Sequence, residues 1–231
     1  MRRHVLGAAA GMVIAAVSVG VLTTGCTRTV SGTAVRAQGA AAEVPLLTMT
    51  DLNRLLLYEP DMVEIVGTDM RVFTTEEELT YLADLVSEPD CVGAAFPLDE
   101  EVYSATNWVA ARDTIFLEAA DPDDIHVIEH GLVLFDTAEE ATDFFEDSRL
   151  HWQECAGMTG IVVDDSPWLA FDVVELGDSL ITQNADHVGY AQCQHALGVV
   201  ANLIIESLAC DDTFNDEAEK VVSATLTAAA Q

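Results

Sequence analysis

Two cysteines placed symmetrically about a short turn constrain this chain more than any other feature. Ala201-Asn202 lies between two apolar runs, Tyr190 to Val200 and Leu203 to Cys210. A two-residue hairpin turn there makes residues whose numbers sum to 403 face each other, and Cys193 and Cys210 satisfy that sum. Val200 and Leu203 form the hydrogen-bonded pair next to the turn, and pair types alternate outward from it. Cys193 and Cys210 therefore fall on a non-hydrogen-bonded pair, with Cα atoms roughly 4.5 Å apart. That separation suits a disulfide. With Cys26 set aside for reasons given below, Cys91 is left for Cys155 among the three pairings that four cysteines allow. A shared metal is the weaker reading, since there is no Cys-x-x-Cys and exported thiols oxidise.

Export is written at the N-terminus. Arg2 and Arg3 precede an apolar run from Val5 to Leu22, and Thr23-Thr24-Gly25-Cys26 follows. A small residue before a cysteine, after an apolar run, resembles a bacterial lipobox, in which the cysteine takes a diacylglycerol and becomes the new N-terminus. Thr23 stands where such boxes usually carry an aliphatic residue. Residues 1–25 read as a signal peptide, Cys26 as the lipidated residue, 26–44 as a small, polar tether, and 45–231 as one domain. The other readings are cleavage further on, near Thr33-Ala34 or Ala40 to Ala42, or an uncleaved anchor. The expected address is the outer face of the cytoplasmic membrane, held through the lipid on Cys26, or otherwise secretion.

Forty acidic residues stand against 9 basic ones in 231, a net charge of -31. A nucleic acid is excluded as a direct partner, because a polyanion needs a basic face. Hydrophobic residues make up 50%, so the chain is foldable and not a disordered acidic tail.

Periodicity places the elements. A short helix carries Leu52, Leu55 and Leu56, capped by Thr50-Asp51, and Pro60 opens a second that stops at Gly67. Met70 to Phe73 reads as a strand, Glu76 to Val86 as a helix and Asp90 to Pro97 as a loop. Trp108 to Glu118 and Ile125 to Phe135 read as strands joined through an Asp-Pro-Asp-Asp turn. Thr137-Ala138-Glu139-Glu140 is a capping box. The helix that it opens has an apolar stripe through Ala141, Phe145, Ser148, Trp152 and Cys155. Phe171 to Glu175 and Leu180 to Asn184 read as a hairpin about Gly177-Asp178, ahead of the one about Ala201-Asn202, and Asp216 to Ala229 closes the chain as a helix. Consecutive strands on short turns predict an α+β domain: a mostly antiparallel sheet with packed helices, a cleft and two disulfides.

The pattern Trp152-x-x-Cys155, then Cys193 through Ala201-Asn202 to Cys210, together with Pro89-Asp90-Cys91, resembles the PknH-like extracellular sensor domain of mycobacteria and related actinobacteria. The run from Cys26 to Ala34 is similar to the start of mycobacterial lipoproteins. The resemblance covers roughly residues 45–230. It implies a sheet with helices around a cleft, disulfides Cys91–Cys155 and Cys193–Cys210, and sensing of an unidentified ligand outside the cell. It does not bring kinase activity, since the Gly-rich loop, His-Arg-Asp and Asp-Phe-Gly are absent from this sequence.

No catalytic residue, metal ligand or cofactor is assigned. His126 and His130 share a strand face but sit roughly 13 Å apart, too far for one metal. His151 lies off the helix stripe, and His187 and His195 have no evident partners. The acidic runs at 121–124, 164–165 and 211–212 read as solvated turns, Trp108 and Trp168 as core, and Asn202 as a turn residue. The expected function is binding of an envelope ligand or protein partner without catalysis. The alternatives are a structural or interaction lipoprotein and, third, an envelope hydrolase.

Overall fold

The computed structural model describes residues 44–120, 126–158, 161–163 and 165–231. Cys26, the signal segment, most of the tether and the 121–125 turn lie outside the described residues. Two helices, α1 (Met49–Leu55) and α2 (Glu59–Val66), open the fold. Thr48 caps α1, not Thr50, because the Thr48 hydroxyl accepts from Asp51 N and the Asp51 carboxylate accepts from Thr48 N across the first turn. Gly67, at φ +83°, ends α2 in the left-handed conformation.

Strands β1 (Met70–Glu76), β2 (Trp108–Glu118), β3 (Val127–Phe135), β4 (Val162–Val163), β5 (Ser166–Ala170), β6 (Val174–Glu175), β7 (Leu180–His187), β8 (Ala191–Val200) and β9 (Leu203–Asp211) form the sheet. The order is β1-β2-β3-β9-β8-β7-β5-β4, with β6 also paired to β7. All these pairings are antiparallel. Short helices α3 (Val92–Ala95) and α4 (Glu100–Tyr103), long helix α5 (Ala138–Cys155) and closing helix α6 (Glu217–Ala229) complete the domain.

Both faces of the central strands are covered. On one face, Ile128, Leu132, Ala196 and Ile205 pack with α1, α2 and α6. On the other, Val133, Leu197 and Ile204 pack beneath α3 and α5, together with Trp152 and Phe145 from the predicted stripe. Strand alternation sends odd- and even-numbered residues to different cores. A sheet covered on both faces explains why β3 and β9 read as nearly continuous apolar runs.

Val200 faces Leu203 and Cys193 faces Cys210, the register of a two-residue turn. That pair is disulfide-bonded with Cα atoms 4.1 Å apart, and Cys91 is bonded to Cys155 at 5.8 Å. Asn202 does more than turn the chain. Its carboxamide accepts from Leu47 N at 2.7 Å and donates to the carbonyls of Leu47 and Phe135.

Two further expectations require correction. Residues 76–86 do not form a helix: β1 runs to Glu76, and only a 3-10 turn forms at Ala83–Leu85. The backbone there is claimed by a distant partner. Thr80 N donates to Leu98 O, Glu100 N to Thr80 O, and Leu82 N to the Asp99 carboxylate. Those bonds replace the i to i−4 ladder. Residues 90–97 are not wholly loop either, since a 3-10 turn (Pro89–Cys91) leads directly into α3.

Candidate functional site: an internal carboxylate cluster and an open groove

Polar side chains gather in two places. The first is inside the core beneath α3, α4 and α5. Adjacent strands place Asp113, Gly131, Glu206 and Leu197 in one row across the sheet, and Glu129, Leu208 and His195 in the next. The Tyr103 hydroxyl, brought in by α4, donates to one Glu206 oxygen, and His195 Nε2 lies 3.2 Å from the other. Trp152 packs on the His195 ring with centroids 4.2 Å apart.

Burial governs the protonation of this cluster. Asp113 is pushed up to about 7 by desolvation, with the charges of Glu76 and Glu206 adding to it. Glu129 is raised well above its ordinary value for the same reason, with Asp113 and Glu206 contributing. Tyr103 is raised by burial and by the Glu206 charge. A Tyr–Glu–His chain has the groups for proton transfer. Here there is no room for a substrate, because Tyr103, Glu206 and His195 are buried and the neighbouring void is about 10 Å³. That is space for about one water. The cluster ties α4 to the sheet through Tyr103 and Glu206.

The second place is an open groove of about 680 Å³ at the β5–β6–β7 side of the sheet. Strands β5 and β6 pair with different parts of the same edge of β7. The connecting residues bow outward, held by Phe171 N donating to Asn184 O and by Gln183 Nε2 donating to Phe171 O. The groove floor is Thr182, Asn184 and Gln194, and its walls include Phe171, Val174, Leu176 and Phe214. Phe171 and Phe214 meet edge to face at 5.7 Å and are 48% and 40% exposed. Asp172 and Glu219 are the charged residues lining it. This volume falls in the range of small-molecule sites.

The histidines are dispersed. His126 precedes β3 and is clamped between two carboxylates, with Nε2 to Glu217 and Nδ1 to Glu118, both at 2.7 Å. Those bonds, Glu217 first, outweigh desolvation and hold the imidazolium up to about 9. His130 is fully buried against Thr225 and is lowered by desolvation to about 4. His151 is exposed on α5, and His187 lies between Trp168 and Tyr190. Trp168 is core and Trp108 is half-buried against it. At 211–212, Asp212 N donates to the Asp211 carboxylate, a local turn contact.

Sequence reasoning missed both gatherings. A signal existed for the first: Glu206 interrupts the apolar run Leu203–Ile205 at an inward position, and Glu129 does the same in β3. None marked Tyr103, which arrives from a four-residue helix.

The architecture defines a class: a disulfide-braced α+β domain, with helices on both faces of an antiparallel sheet. The profile of the PknH-like extracellular domain matches residues 47–227, and the chain belongs to that family. It is 28% identical over 142 residues to the serine/threonine-protein kinase PknH of Mycobacterium bovis and equally to that of Mycobacterium tuberculosis. Those matches cover 60% of this chain but only 24% and 22% of the kinases, so the chain spans about a quarter of their length. The crystal structure of the extracellular domain of PknH from Mycobacterium tuberculosis shares the fold, with a TM-score of 0.71 at 23% identity. That match covers 80% of this chain and 98% of the solved one. Among the described residues, no helix is long and apolar enough to cross a membrane.

Proposed function

We propose that this chain is an exported, lipid-anchored domain of the sensor type that binds a small envelope ligand in the open groove, without catalysis. The observation that carries the reading is the groove: about 680 Å³, floored by hydrogen-bonding side chains and walled by exposed apolar ones. The enclosed Tyr103–Glu206–His195 chain supports a non-catalytic role, because a proton relay without access to substrate accelerates nothing. The lipidated Cys26 holds the domain to the outer face of the cytoplasmic membrane; without lipidation the chain is secreted. Residues 1–25 are the signal peptide, 26–44 the tether and 45–231 the ligand-binding domain.

Two experiments test this. Native mass spectrometry of the protein taken from its own envelope yields an extra mass that disappears on denaturation. A bare mass, together with no protection of Thr182 or Asn184 by envelope extract, overturns the ligand reading. Cys26→Ala moves the protein from the membrane fraction to the soluble one. Unchanged retention replaces the lipid with an uncleaved anchor.

A second reading, docking to other envelope proteins, rests on strand β1. It is one edge of the sheet, and Phe73, 63% exposed, sits at its register break. Crosslinking from position 73 in the intact envelope separates the two readings.

A further inference from the structure

The groove's chemistry selects among ligands. Its lining carries two carboxylates, Asp172 and Glu219, and no lysine, arginine or histidine. The nearby cations are already engaged, Arg149 by Glu146 and Glu175 and Lys220 by Asp216. The N-terminus of α6 borders the groove and would ordinarily favour an anion. Here three of its N–H groups are taken: Glu217 N donates to Asn215 Oδ1, Glu219 N to Gln194 Oε1, and Lys220 N to Asp216 O. Glu217 and Glu219 answer the helix dipole from within the first turn.

The floor holds unused polar groups. Thr182 is 4% exposed, and among the described residues neither its hydroxyl nor the Asn184 carboxamide makes a side-chain hydrogen bond. The Thr182 hydroxyl faces the groove, where a ligand would take the place of the water that otherwise satisfies it. Above the floor, the exposed rings of Phe171 and Phe214 offer apolar surface and π-faces.

We infer that the groove takes an amphipathic cation, an ammonium group on an apolar body, and rejects the matching anion. The carboxylates and aromatic rings attract the ammonium, as in other cation sites built from rings. Thr182, Asn184 and the free Nε2 side of Gln194 orient the polar end, and Val174 and Leu176 cover the apolar body. This inference rests on the groove being the binding site.

The test uses the full exported chain as Cys26→Ala, which needs no detergent. Decylammonium, decyl sulfate and decyl maltoside are titrated below their micelle-forming concentrations, by calorimetry and by amide shifts of labelled protein. The cation binds roughly tenfold or more tightly than the sulfate, with shifts at Thr182 and Asn184. Asp172→Asn with Glu219→Gln removes roughly tenfold of that affinity, the sum expected from one exposed and one half-buried carboxylate. Glu139→Gln, on α5 across the sheet, changes nothing and controls for the net charge. Equal binding of all three amphiphiles at Thr182, or tighter sulfate binding, overturns the charge selection and leaves the groove as a site. Shifts that avoid Thr182 and Asn184, or a Glu139→Gln loss equal to that of the double variant, overturn the groove itself. Unchanged thermal midpoints show that the variants are folded.

Discussion

Leu98 closes directly over Gly131: a Cβ built on Gly131 would lie 1.8 Å from Leu98 Cδ1. Leu98 is buried and holds φ at +52°, a conformation that costs a leucine energy. The contact seats the 98–103 segment on β3 and so delivers Tyr103 to Glu206. Gly131→Ala should destabilise the domain by about 2–3 kcal/mol through overpacking. Denaturant unfolding measures the loss. Adding Leu98→Ala should recover part of it, and strictly additive losses would refute the contact.

The two disulfides should contribute unequally. They close sequence separations of 17 and 64 residues. Loop entropy assigns about 3 kcal/mol to Cys193–Cys210 and about 4 kcal/mol to Cys91–Cys155. Paired Cys→Ser variants, compared by urea midpoint, check the order. Each single variant should expose one titratable thiol.

Stability should fall as pH rises through neutrality. Asp113 has a folded-state value near 7, above its ordinary 3.8. The folded state therefore binds the extra proton between about pH 4 and 7, and stability declines across that window. Asp113→Asn should flatten the decline and stabilise the protein above pH 7. His126 acts in a higher window: its value near 9 gives stability that is complete below about 6.5 and lost by about 9. His126→Gln should therefore cost stability at pH 6 and little at pH 9.5. His130, lowered to about 4, works in the opposite sense, withdrawing stability as pH falls from 6.5. Thermal midpoints between pH 4 and 9.5 resolve all three.

Asn202→Ala removes three hydrogen bonds, two of them to the backbone of Leu47. It should cost about 2 kcal/mol. Hydrogen exchange should accelerate at Leu47 and at the start of α1 before it does so elsewhere. Uniform acceleration would show that the bonds stabilise the hairpin alone.

What could be read in the sequence was local. The β8–β9 register follows from one turn and a period of two, and the α5 stripe from a period of 3.6 and one capping box. Residues 76–86 mislead because their N–H groups pair with Leu98 and Asp99, a choice made by the tertiary structure. The groove was hidden for a related reason. The sequence placed Phe171 in a hairpin strand, but β6 pairs β7 only at Val174 and Glu175, and the bow between β5 and β6 depends on where β7 lies. The carboxylate cluster joins Tyr103 to Glu206 across 103 positions, beyond the reach of any local pattern.

The grip of Asn202 on Leu47 also fixes where a force at Leu47 enters the domain. Tension from a tether ahead of residue 47 would enter the sheet at the tip of its β8–β9 hairpin, whose far end is cross-stitched by Cys193–Cys210. Gln194, in the groove floor, lies six residues from Val200, roughly 20 Å along the strand from that attachment point. The groove thus lies toward the end of the hairpin opposite the Asn202–Leu47 attachment, and a pull applied at Leu47 loads the stitched hairpin before it reaches the groove's outer wall on β6.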